Sequence, residues 1–117
     1  MRKILMILAV MAAPVQAQQV ASAEGGVLRA LDKVSGVSRD VEMQRGETSR
    51  VGSLNVTLNE CRYPAGNPAG DAYAELDIVE TGDENRLFAG WMIASAPALS
   101  ALEHPRYDIW VIRCTTS

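Results

Sequence analysis

The chain carries a single histidine, and that residue limits most of the chemistry open to it. A nucleophile activated by an imidazole has to use His104, with Ser100 one helical turn before it and Glu103 or Asp108 to orient the ring. Nothing near Ser100 reads as the sharp turn that presents a nucleophile, and a serine and histidine on one helical turn are not a productive pair. His104 therefore reads as structural, hydrogen-bonded to a helix end or a backbone carbonyl, and no catalytic residue is expected.

A transition-metal site needs three or four converging His, Cys or carboxylate ligands. One histidine and two cysteines do not make such a set, so no metal and no cofactor are expected. Asp83, Glu84 and Asn85 offer oxygen atoms without the spaced loop of a calcium site, which points to a solvated turn. Glu75 and Asp77 alternate along one strand face about 7 Å apart, a separation that glycosidases use. So small a chain has little material for the deep cleft such a pair requires, and an exposed strand face is the expectation.

Cys61 and Cys114 are expected to pair. No Cys-x-x-Cys spacing argues for redox work, and two free thiols would be liabilities in an oxidising compartment. Closing a loop of that length stabilises by roughly 4 kcal/mol on the chain-entropy estimate.

Tyr73, Phe88, Trp91, Tyr107 and Trp110 crowd toward the C-terminal third. Core packing is their ordinary role, with Trp110 set against the disulfide. The functional alternative is a binding surface along residues 95–107, formed by Trp91, Ser95, Leu99, His104, Tyr107 and Trp110. The composition of that segment is the least explained by strand building.

The N-terminus explains why an oxidising compartment is expected. Arg2 and Lys3 precede an apolar run from Ile4 to Ala13, then Pro14 and a small-x-small site at Val15-x-Ala17, the order of parts in a cleaved signal peptide. The run is about half the ~20 residues that a membrane-spanning helix needs, so no stable membrane anchor is expected after cleavage. Removing these 17 residues from 117 leaves 100, enough for one domain. Nine basic residues then face 14 acidic ones. A net charge near −5 with no basic cluster argues against nucleic acid as a partner. Residues 18–25 are small and polar and read as a disordered leader, leaving 26–117 as a single β domain.

Strands are read at Val27–Asp32, Val37–Met43, Thr48–Val51, Leu54–Cys61, Ala72–Glu80, Arg86–Ile93 and Tyr107–Cys114. The second alternates, with Val37, Val41 and Met43 on one face and Arg39 between them. Leu54, Val56 and Leu58 face inward, which puts Cys61 on the wrong parity. A bulge near Asn59-Glu60 is the expected remedy. The nearly unbroken apolar run of Arg86–Ile93 reads as a central strand buried on both faces. Ser95, Pro97, Leu99, Leu102 and Pro105 suggest a short helical turn near residues 97–103. About seven short strands predict an all-β fold, a small antiparallel sandwich or barrel.

The segment Gly90-Trp91-Met92-x-Ala94-Ser95-x-Pro97-Ala98-Leu99-x-Ala101-Leu102-Glu103-His104-Pro105-x-Tyr107-Asp108-x-Trp110, with Cys114 after it, resembles the signature of the DUF2155 family. So do Leu31-Asp32-Lys33-Val34-x-Gly36 and the Gly46-Glu47-Thr48 turn. The resemblance spans residues 26–114 and implies an exported alphaproteobacterial protein of uncharacterised function, with no catalytic assignment to carry over. The expectation is a periplasmic, non-catalytic interaction module that binds another envelope protein. The alternative is a small-ligand or glycan-binding domain using the C-terminal aromatics.

Overall fold

The computed structural model describes residues 19–83 and 85–116. The expected signal peptide over 1–17, and Glu84 of the polar turn, lie outside the described residues. Among the described residues eight strands run in chain order: β1 (Val20–Ser22), β2 (Gly25–Asp32), β3 (Ser38–Gln44), β4 (Thr48–Val51), β5 (Leu54–Pro64), β6 (Tyr73–Glu80), β7 (Arg86–Ile93) and β8 (Tyr107–Thr115). They form two antiparallel sheets. One has the order β1-β5-β6-β7 with β4 also on β5, and the other has the order β3-β2-β8. The sheets pack face to face as a sandwich, not a closed barrel.

The alternation of small and apolar residues builds the space between the sheets. Leu54, Val56 and Leu58 of β5, Ala74, Leu76 and Ile78 of β6, and Leu28, Met43, Ile109 and Val111 of the opposite sheet are all essentially inaccessible to solvent. The expected bulge is present, because the register of β5 on β6 shifts between Leu58 and Glu60. That extra residue turns Cys61 inward to zero exposure. Its sulfur stands 2.13 Å from that of Cys114, which joins the two sheets. A second register shift, on β8 opposite Val27 and Leu28, skips Ile112. Cys114 thereby points inward together with Ile109 and Val111. Gly26 leaves the room: a β-carbon there would lie 3.0 Å from Cys61 Sγ.

Four expectations change. Residues 20–22 of the expected leader form β1, which pairs with Arg62–Pro64, and Ala23 is buried. The small polar composition of 18–25 hid this, since β1 draws its stability from an edge supplied by β5. No helical turn forms at 97–103. Two successive tight turns replace it, with Ala96 N donating to Ile93 O and Leu99 N to Ala96 O, each at 3.1 Å. A segment bracketed by prolines is too short to repay helix nucleation. Leu102 is buried while Leu99 is 75% exposed, so the two do not share a face. Val37 is also exposed, at 63%, because β3 begins only at Ser38 and the sandwich is open beyond it. Finally, β7 is an edge strand and not a central one, with Met92 its one fully buried residue.

Candidate functional site

The expected binding residues fall into separate places. His104 and Tyr107 belong to a lock at one end of the sandwich. His104 Nδ1 accepts hydrogen bonds from the backbone N–H groups of Arg106 and Tyr107, at 3.0 and 3.1 Å. The ring proton therefore sits on Nε2, which donates to Glu80 Oε2 at 3.2 Å. One imidazole thus ties the entrance of β8 to the end of β6 on the other sheet. Lys33 adds a hydrogen bond from Nζ to His104 O at 2.6 Å, and its own N–H donates to Arg106 O at 2.7 Å.

Arg106 donates to both oxygens of Asp32, and its guanidinium also lies 5.4 Å from the centre of the Tyr107 ring. The hydrogen bonds from Arg106, with those from the Ser35 and Val34 amides, hold the Asp32 carboxyl at about 2 against an ordinary 3.8. Asp32 Oδ1 closes the β2–β3 turn through those amides, and Gly36 supplies the left-handed residue with φ of 76°. Asp32, opposite Tyr107, and Lys33, bonded to His104, thereby join one signature segment to the other. Both ring nitrogens of His104 are engaged in holding backbone, a structural use of the one imidazole.

Ser95 is anchored to Asp71, with its N–H on Oδ1 at 2.9 Å and its hydroxyl on Oδ2 at 2.5 Å. Partial burial alone would raise the Asp71 carboxyl. The hydrogen bonds from Ser95 and from the Ala72 amide outweigh it and leave the group below its ordinary value. This clasp pins the chain as it leaves β7. Leu99 projects into solvent. Trp110 pairs in register with Arg29, on the outer face of the three-stranded sheet and away from the disulfide. It lines an open hollow of about 340 Å³ together with the loop residues Pro97, Ala98 and Ala101 and with Asp108 and Ile109.

Trp91 stands apart from all of these, on the outer face of the five-stranded sheet. Strand register builds its surroundings. Tyr73 is opposite both Arg62 and Ile93, and Glu75 is opposite both Glu60 and Trp91. Ser22 is opposite Arg62, and Val20 opposite Pro64. Val20, Tyr73, Trp91 and Ile93 line an apolar hollow of about 290 Å³ together with Arg62. The Arg62 guanidinium lies 5.0 Å from the centre of the indole and its Nε 3.8 Å from Glu60 Oε2. That oxygen has no hydrogen-bond partner among the described residues. Two carboxylates directly opposite one another, Glu60 and Glu75, are unfavourable as a cross-strand pair.

Glu75 and Asp77 do share this face, as the alternation of β6 requires. Asp77 accepts a hydrogen bond from Asn59 Nδ2 at 3.0 Å and lies 3.8 Å from Arg86. Asp83 accepts from the Asn85 amide, as a turn residue does. Sequence reasoning found Trp91 but missed Val20, Arg62 and Ile93 as its neighbours. The odd-numbered parity of Tyr73 and Glu75 was a usable signal for this face. The partners that β5 and β1 bring to it were not.

A family model described as "Uncharacterized protein conserved in bacteria (DUF2155)" matches residues 26–114. An uncharacterised protein of Rickettsia prowazekii (strain Madrid E) is 32% identical over 92 residues, covering 76% of this chain. The chain spans 59% of the length of that relative. No solved structure matches the chain.

Proposed function

This chain belongs to the DUF2155 family of uncharacterised proteins conserved in bacteria, and on that premise we propose that it is an exported, non-catalytic interaction module of the cell envelope. The observation that carries the reading is the exposure of β7. Its run of apolar residues has the composition of a strand covered on both sides, yet Ala89, Trp91 and Ile93 face outward on the sheet, exposed or half-buried, and Leu87 is exposed at the bulge. An apolar face with an indole at its centre and charged residues around it is the anatomy of a protein contact.

The charges beside it suit a partner of complementary sign. Glu75 is opposite Trp91 and Glu60 lies one strand beyond it, where Arg62 offsets only Glu60, at 3.8 Å. The partner is an envelope protein that presents a basic side chain within an apolar patch. Export rests on the basic and apolar leader with its small-x-small site, together with a cysteine pair at disulfide distance. The non-catalytic character rests on the structural use of both nitrogens of His104.

The test is capture from envelope extract under non-reducing conditions with wild-type, Trp91→Lys and Trp110→Lys proteins in parallel. A stoichiometric partner retained by wild type and Trp110→Lys and lost by Trp91→Lys supports the reading. Recovery of the same proteins by all three sinks it.

One observation favours a second reading, a small-ligand or glycan-binding domain. The hollow at Trp110 combines an indole with the Asp108 carboxylate, a pairing suited to a sugar ring. Quenching of the Trp110 fluorescence by soluble glycan fragments, lost in Trp110→Phe, would move the site there.

A further inference from the structure

A β-sandwich leaves strand edges whose unpaired N–H and C=O groups invite another strand, and folded proteins normally blunt them. Most edges here are blunted. β1 and β4 are three and four residues long. β3 carries Arg39 on its core-facing side, opposite Ala30, and this inward charge reaches across to Arg50 O at 3.0 Å. β8 is flanked by the loop residues Pro97, Ala98 and Ala101.

β7 differs. It is eight residues long, contains no proline and has one charge, Arg86, at its very start. Its one protective feature is a bulge at Leu87, where the register shifts between Phe88 and Arg86 opposite Ile78 and Val79. Beyond the bulge, Phe88–Met92 runs regularly paired on one side. Among the described residues, none of these makes a backbone hydrogen bond other than to β6.

We propose that the free edge of β7 pairs antiparallel with β7 of a second copy, joining the two five-stranded sheets across a two-fold axis. One register of the edge is self-complementary in side-chain size and charge. With Gly90 opposite Gly90 of the partner subunit, Phe88 meets the partner's Met92 on the core-facing side. On the outer side Ala89 meets the partner's Trp91, a small residue against a large one. A shift of one residue would set core-facing side chains against outward ones, which the pleat forbids. The same register holds the two Arg86 side chains at opposite ends. Each lies beside the other copy's Ile93–Ser95, which carries no basic residue. Like charges are kept apart.

So short a pairing buries less than a standard interface. The dimer is therefore weak and concentration-dependent, with a dissociation constant of roughly micromolar order. This inference does not depend on the partner proposed for the outer face. It would bring the two Trp91 patches onto one continuous surface.

The test is sedimentation of the oxidised protein over a concentration series, alongside Ala89→Lys. Ala89 is exposed, so the lysine is tolerated by the fold. The residue also lies on the outer face proposed for the envelope partner, so the readout is self-association of the purified protein, which that partner does not enter. The expected result is a monomer–dimer equilibrium in wild type that Ala89→Lys weakens at least tenfold. Hydrogen exchange gives a second readout: amides of Phe88–Met92 gain protection as wild-type concentration rises, and those of β3 do not. A protein that stays monomeric throughout overturns the proposal. So does a dimer indifferent to Ala89→Lys, and so does protection of β7 that appears only when a different protein is added.

Discussion

Arg106 holds Asp32 through two nitrogens, Nε at 3.2 Å and Nη2 at 3.0 Å from Oδ2, and so fastens the entrance of β8 to the end of β2. That contact stays within the three-stranded sheet, while His104, reaching Glu80 on the other sheet, makes residues 104–107 a clamp between the two, beside core packing, the Arg39 hydrogen bond to Arg50 O and the Cys61–Cys114 bond.

The clamp has a pH signature. Asp32 is held at about 2 against 3.8 by Arg106. A carboxyl depressed in the folded state contributes stability above its unfolded value and loses that contribution as acid protonates it. The melting temperature of wild type is expected to exceed that of Asp32→Asn at neutral pH. The gap should close as pH falls from 3.8 toward 2. A gap unchanged across that window would show that the ion pair is not the source.

His104→Ala leaves the N–H groups of Arg106 and Tyr107 without their acceptor, and its cost should be about 1–3 kcal/mol. Asn at the same position can place an oxygen near the former Nδ1, so His104→Asn is expected to recover part of that loss. Urea titration of the three proteins decides it, with equal midpoints for the two variants counting against the acceptor role.

Replacing both Cys61 and Cys114 by Ala should lower stability by about 4 kcal/mol, given the separation of 53 residues that the bond closes. Chemical denaturation with and without reductant measures it. Wild type should fall to the level of the double variant when reduced.

Gly52 and Gly46 both have positive φ, at 56° and 86°, but only Gly52 is crowded. A β-carbon there overlaps the Tyr107 ring, whereas nothing lies within 4 Å of one at Gly46. Gly46→Ala should cost about 1 kcal/mol in backbone strain. Gly52→Ala should add a further ~1–3 kcal/mol of overpacking. Equal losses in denaturant midpoint would show that Tyr107 yields freely.

The candidate surface was partly legible. Trp91 was named from its residue type, and Cys61 from a parity conflict that correctly implied a bulge. Arg62, which lies over the indole, and Glu60 beside Arg62 were not named, because only the pairing of β5 with β6 and β6 with β7 brings them to this face. His104 was expected to be structural, yet its partner Glu80 lies 24 positions away and no local pattern links them. The apolar run of β7 was misread as central, since composition cannot say whether a strand has one neighbour or two.

The strands, their inward faces, most of their turns and the all-β class follow from the order of residues alone. A period of two records which side of a strand is apolar, and glycine and proline mark where strands must stop. Tertiary structure decided which strand lies at an edge, which outward faces adjoin, and how 104–107 binds the sheets together. Those outcomes depend on pairing between residues far apart in the chain, where the free energy of a neighbour is set by what another strand presents and not by the segment itself.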